Sequence, residues 1–363
     1  MDRIKRFKGS LMLLLAAFFW GTTFAAQSSA ADSIPTFTFN AARSFVGAAF
    51  LGILILIRQR KSGSGVRTGS GADYGSRETE ARADSGNRET GVRADSESRE
   101  TGGSVGFGAQ EKEGGTGPGA RSKRDDSGHF PKKGAVFGGG ICGVVLFAAM
   151  SFQQGGIAAY PEGAAASGRS GFLTATYVVM VAICARFLGK KLHKSVYAAV
   201  AVCIVGMYLL CMSGGGNGIY FGDVLGLVCA VFFTAHIMVV DHFSYCESVR
   251  LSCMQFLVSG ILSTAAMLLF EQPDIHMLAA AVGPILYAGI LSSGIAYTLQ
   301  MEGQKYAEPS VAAIIMSLES VFAVLGGWIV LNERLSAREL AGCALVFAAV
   351  ILAQLPQKVK EAG

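Results

Sequence analysis

Charge is scarce in this sequence, and nearly half of it is confined to one segment. Only 16% of the 363 residues are charged, and nearly half of these lie between residues 58 and 133. The rest is too apolar for an ordinary soluble globule. No Cys-x-x-Cys pair occurs, and no Cys/His cluster has metal-ligand spacing. The 8 cysteines are scattered, mostly inside apolar runs, so free thiols without disulfides are expected. No nucleotide-binding loop, catalytic triad or metal set is recognisable, so neither ATP drive nor enzymatic chemistry has support and no cofactor is expected.

Long apolar runs are present instead. A membrane span needs about 20 apolar residues. Stretches of this kind run over 10–31, 37–57, 134–156, 163–187, 194–212, 221–241, 250–270, 278–299, 309–331 and 337–355. The fold class expected is an all-α integral membrane bundle of ten transmembrane helices. The first stretch has a basic start (Arg3, Lys5, Arg6, Lys8) and an Ala-rich end, as a secretory signal does. It is long for a signal core and further spans follow, so it reads as a retained first helix. The net charge of +5 does not point to nucleic acid, because Lys and Arg gather at the ends of spans, where they fix topology.

Residues 58–133 are a different material. Gly, Ser, Arg, Glu and Asp dominate, and a unit beginning Arg-Glu-Thr recurs at Arg77, Arg88 and Arg99. Such a segment cannot bury enough apolar surface to offset its ordering entropy. It reads as a disordered, low-complexity cytoplasmic insertion.

The apolar remainder reads as one unit written twice. Ala16–Trp20 matches Cys229–Phe233 in kind. The turn Leu188-Gly-Lys-Lys-Leu192 overlays Leu331-Asn-Glu-Arg-Leu335, which brings Val178 onto Val321. The expected units are 1–57 with 134–212, and 221–355, followed by a short tail at 356–363. With the N-terminus in the cytoplasm, Arg58/Arg60/Lys61, Lys132/Lys133, Lys190/Lys191/Lys194, Arg250, Lys305 and Lys358/Lys360 all fall inside. Each unit holds five spans, an odd number, so the two lie inverted, and both termini are cytoplasmic. Duplicated, inverted units are a common architecture of secondary transporters.

At this point the residues match a known family. Ala16–Gly21, Phe39-Asn40-Ala-Ala-Arg43, the run from Gly168 through Tyr177, and Ser317-Leu-Glu319-Ser-Val-Phe322 followed by Gly327-Trp328 resemble the EamA-type branch of the drug/metabolite transporter superfamily. The resemblance covers both halves outside the insertion. A proline common after the helix-four tyrosine motif is missing, with Ala182 in that area, and the long insertion is foreign to the family. The resemblance implies two inverted five-helix repeats in the plasma membrane. It also implies transport of a small metabolite, amino acid or drug-like molecule, often as an exporter. The rival readings are a non-transporting membrane scaffold or lipid-handling subunit, and an integral-membrane enzyme. A lipid bilayer and a small-molecule substrate are the expected partners, a homodimer is compatible with the reading, and nucleic acid is not a partner.

Inverted repeats hold their substrate near the midplane. Glu319 lies about ten residues into its span, about 15 Å deep at 1.5 Å per residue. A charge there costs roughly 2.5–3.5 kcal/mol on insertion scales. It either binds a proton or cationic group or makes a structural hydrogen bond to a neighbouring helix. Arg169, among Gly168, Ser170 and Gly171, is expected to face inwards towards an anionic group. Arg43 either does the same or snorkels to the outer headgroups. Trp20, Tyr177 and Tyr297 line the cavity or serve packing and interface anchoring. Asn40 and Gln255 hydrogen-bond between helices or touch ligand. His236 is solitary and reads as structurally satisfied.

Overall fold

The structure, a computed structural model, describes residues 2–31, 33–64, 132–161, 166–190, 192–211, 219–331 and 336–354. The bulk of the low-complexity insertion, the Asn332–Leu335 turn and the C-terminal tail lie outside these residues. Residues 1–58 and 120–363 form one compact unit, and 59–119 form another. Within the second unit the described residues are the helical end of the second helix, up to Ser64.

Every described element is helical. The first unit begins with α1 (Asp2–Ala31), α2 (Thr36–Ser64), α3 (Lys132–Ala158), α4 (Ala166–Ala175), α5 (Tyr177–Phe187) and α6 (Lys194–Cys211). It continues with α7 (Phe221–His242), α8 (Ser248–Phe270), α9 (Ile275–Ala280) and α10 (Val282–Tyr287). A π-helical segment, Ala288–Ala296, joins α10 to α11 (Tyr297–Gln304). The chain then forms α12 (Pro309–Met316), α13 (Leu318–Leu331) and α14 (Ala337–Gln354).

Among the described residues, 7 helical stretches are long and apolar enough to cross a membrane: Ile4–Phe24, Thr36–Arg60, Gly134–Ala158, Ser170–Phe187, Phe221–His242, Ser248–Phe270 and Val282–Gln304. The expected spans 194–212, 309–331 and 337–355 contain shorter apolar helices, Lys194–Leu209, Pro309–Ala323 and Leu340–Ala353. The second helix continues to Ser64, past the apolar limit at Ile57, because a helix need not stop where the apolar stretch does.

The outside of the bundle is apolar. Ile53, Leu56, Phe137, Phe187, Leu268, Leu269 and Phe270 are each at least 57% exposed. An aqueous surface would not carry large apolar side chains at this density, whereas lipid tails solvate them. The molecule is a multi-pass membrane protein.

Glycine sets the closest helix contacts. α3 packs along α7 and α8, α1 along α13, α11 and the π segment, and α6 along α14. A Cβ at Gly222 would stand 2.7 Å from the Gly156 carbonyl oxygen and 2.8 Å from the Tyr160 ring. A Cβ at Gly9 would stand 2.7 Å from the Tyr306 Cβ and 3.1 Å from the Gly303 carbonyl oxygen. Small residues at such crossings let backbones approach where the hydrophobic effect gives no help.

Two expected spans are broken. The helix of α4 and α5 is interrupted at Thr176, and that of α12 and α13 at Ser317. The two residues share nearly the same backbone angles, φ −60 and ψ −13 against φ −62 and ψ −13. In each, the hydroxyl donates to the carbonyl three residues back, Thr176 to Leu173 and Ser317 to Ile314. That bond competes with the helical ladder and bends the chain. Backbone bonds of the tighter three-residue type follow, Val179 N–H to Thr176 O at 3.0 Å and Ser320 N–H to Ser317 O at 3.2 Å.

One carboxylate ties the two halves together away from the bundle centre. Glu271, after α8, accepts from the Phe37 and Thr38 amides and from the Thr38 hydroxyl, each at 2.7 Å. It satisfies amides at the start of α2, where the helix dipole favours negative charge. Glu271→Ala is expected to destabilise the protein by about 2 kcal/mol, the upper range for a lost cap. Thermal unfolding in detergent checks this, and an unchanged Tm would show that the cap contributes nothing.

Candidate functional site

A cavity of about 40 Å³ lies inside the bundle. Its wall takes Trp20, Thr23, Phe24 and Gln27 from α1, Arg43 from α2 and Gln153 from α3. Thr174 and Tyr177 flank the first helix break, and Met316 and Glu319 flank the second. Phe233 and Ile237 come from α7, Ser292 from the π segment, and Tyr297 and Gln300 from α11. Both halves of the chain therefore contribute. Forty cubic ångströms holds a few waters.

The helix breaks aim their polar groups at this space. Glu319 sits in the first turn of α13, where the helix dipole favours negative charge. Tyr177 opens α5 and donates its hydroxyl to Glu319 Oε1 at 3.5 Å. Both side chains are buried. The backbone of α1 lies close behind Glu319, since a Cβ at Gly21 would stand 2.5 Å from the Glu319 carbonyl oxygen.

Arg43 reaches the cavity from the other side. It is 2% exposed, so the snorkelling alternative does not describe it. Its guanidinium carbon lies 5.5 Å from the centre of the Phe39 ring. Its Nε and Nη1 are buried and without hydrogen-bond partners.

Tyr297 is the centre of an aromatic group. Its ring meets Trp20 at 4.8 Å, Phe256 at 5.2 Å and His236 at 5.7 Å, all edge to face. His236 Nε2 is 3.0 Å from Gln255 Oε1. Gln255 and His236 thus stand behind the wall and support it, and neither lines the cavity. Asn40 also lies off the cavity, and it donates to the Met150 carbonyl at 3.2 Å, an interhelical bond. Arg169 belongs to α4, but its side chain lies outside the described residues.

Several wall residues escaped the sequence reading. Thr23, Gln27, Thr174, Gln153, Ser292 and Gln300 are polar side chains within apolar stretches. Polarity inside a span was the available signal, but it marks interhelical hydrogen bonds equally.

The comparisons with known proteins agree with this architecture. A sequence model of the EamA-like transporter family matches residues 7–71 and 220–355, more than half of the chain. The chain belongs to the EamA-like transporter family. A relative described as an uncharacterized transporter of Archaeoglobus fulgidus is 34% identical over 188 residues. That match covers 51% of this chain and 60% of the relative, so the chain spans less than two thirds of the relative's length. A solved crystal structure superposes with a TM-score of 0.64 at 18% identity, covering 96% of each chain. At that identity it speaks for the fold alone. The EamA-like family is one of membrane transporters, a class that is not enzymatic.

Proposed function

We propose that the protein is a secondary transporter that carries a small metabolite, amino acid or drug-like molecule across the plasma membrane. Two inverted five-helix repeats rock about the central cavity and expose it to each side in turn. The observation that carries this reading is the wall itself. Both halves of the chain build it, and it holds a buried carboxylate and a buried guanidinium that no ion pair joins among the described residues. Buried ionisable groups facing a bundle interior mark substrate and ion pathways.

Packing supports the repeat. The register that lays Ala16 on Cys229 also lays Gly9 on Gly222, and these two glycines make corresponding contacts, against Gly303/Tyr306 and Gly156/Tyr160. Likewise, Gly143 of α3 meets Val258 of α8, and Gly289 of the π segment meets Val46 of α2. The helix breaks at Thr176 and Ser317 fall within two residues of each other in the register that lays Leu188 on Leu331. Discontinuous helices at a repeat interface are a recurrent way to build a midplane site. Ion pairs support the orientation. Lys190–Asp241, Arg250–Glu247 and Lys305–Glu302 all lie at ends assigned to the cytoplasm. The direction of transport assigned is export, as the family resemblance implies.

The test is flux through purified protein in liposomes, measured with a metabolite panel. Flux above protein-free liposomes is the expected result. Saturable binding with no flux would overturn transport and favour a non-transporting membrane subunit.

A further inference from the structure

Arg43 is a charge without a counterpart. A buried cation is tolerated when it is paired or fully hydrogen-bonded. Here Nε and Nη1 lack partners, although the side chain is 2% exposed. Glu319 borders the same cavity, yet no nitrogen–oxygen approach within 4.0 Å joins the two among the described residues. Glu319 is instead engaged by Tyr177. The Phe39 ring offers a cation–π contact, which eases the burial of charge but does not neutralise it.

The surroundings suit a carboxylate with an apolar body. Gln27, Gln153 and Ser292 share the wall with Arg43 and carry hydrogen-bond donors. Trp20, Phe24 and Phe233 supply apolar faces. A guanidinium matches a carboxylate in a planar, two-pronged geometry that an ammonium cannot reproduce. Inside a low-dielectric bundle such a pair is far stronger than in water once the desolvation of the guanidinium has already occurred.

We propose that Arg43 is an anion subsite, and that the ligands of this cavity are small organic carboxylates whose negative group it neutralises. This inference rests on the transport reading, because it names the substrate class of the same site. It also yields a preference order: carboxylates bind, while amines and alcohols of the same skeleton do not. Loading then neutralises the Arg43 guanidinium.

The experiment uses the full-length protein in lipid nanodiscs and matched sets of probes. One set is benzoate, benzylamine and benzyl alcohol, and a second, smaller set is propionate, propylamine and propanol. Thermal unfolding is followed as each probe is titrated. The carboxylates are expected to raise Tm in a saturable way, and the amines and alcohols are not. Arg43→Gln is expected to abolish the carboxylate effect. Arg43→Lys is expected to weaken it at least about tenfold, through loss of two-pronged geometry. If Arg43→Gln does not fold, the lysine variant decides, and unchanged carboxylate affinity in it overturns the inference. A panel in which no carboxylate stabilises the wild type, or in which amines or alcohols do equally well, also overturns it. Flux tells the two claims apart. Carboxylate binding without flux sinks transport and leaves the subsite standing, and flux restricted to amines or neutral molecules does the reverse.

Discussion

Glu319→Gln is expected to lower flux in liposomes at least about tenfold, equivalent to about 1.4 kcal/mol. The substitution keeps the shape of the side chain and an oxygen able to accept from Tyr177, so the interhelical bond at 3.5 Å survives. What it removes is a group that can carry charge or a proton at the first turn of α13. If the carboxylate is the proton site, an imposed proton gradient accelerates the wild type and leaves the glutamine variant unaffected. Full flux with an intact gradient response in Glu319→Gln would reduce Glu319 to a structural hydrogen bond, the other reading of its position. Glu319→Asp tests the geometry separately. It keeps the charge but withdraws it by one methylene, so an intermediate rate is expected.

Gly21→Ala is expected to be as damaging, although it adds a single methyl group and touches no polar side chain. Its Cβ would lie 2.5 Å from the Glu319 carbonyl oxygen, 2.6 Å from the Phe322 Cβ and 2.9 Å from the Ala323 amide nitrogen. Two of these are backbone atoms and the third is fixed to the backbone, so no side chain can swing away. The helices α1 and α13 must separate at the very residue that holds the carboxylate. Overpacking of this kind costs about 1–3 kcal/mol in stability, and the displacement falls on the cavity wall. Loss of most flux together with a lowered Tm is the expected outcome. Gly140→Ala is the control, because nothing stands within 4 Å of its Cβ. It should keep its flux, and its stability should rise slightly, since alanine is the better helix former by about 1 kcal/mol. Equal behaviour of the two variants would show that the α1–α13 approach is not a constraint.

These two expectations draw on different kinds of information. Glu319 was visible in the sequence because an acidic residue interrupts an apolar run, and a charge in lipid must have a reason. Arg43 was visible on the same ground, but its direction was not, since a long cationic side chain two turns from a membrane surface can turn either way. Only the tertiary structure decided it, by burying the Arg43 side chain inside the bundle. Trp20, Tyr177 and Tyr297 were ambiguous between wall and packing for a similar reason, because aromatic residues serve both. The breaks at Thr176 and Ser317 gave no warning. Neither position is proline or glycine, and serine and threonine are ordinary residues of membrane helices.

The amino-acid sequence by itself determined the solvent of this protein and its helical class. Apolar runs of bilayer length leave the backbone no choice but to satisfy its own hydrogen bonds, and helices do so locally. The proposed duplication was read from a one-dimensional property, the register of the turn leucines and of Ala16–Trp20 on Cys229–Phe233. Which side chains meet across the bundle was left to tertiary structure. Glu319 and Tyr177 are 142 residues apart and Glu271 and Thr38 are 233 apart. Their encounters depend on glycine-sized gaps between helices and on two hydroxyls that bend the chain, and these are features of packing in three dimensions.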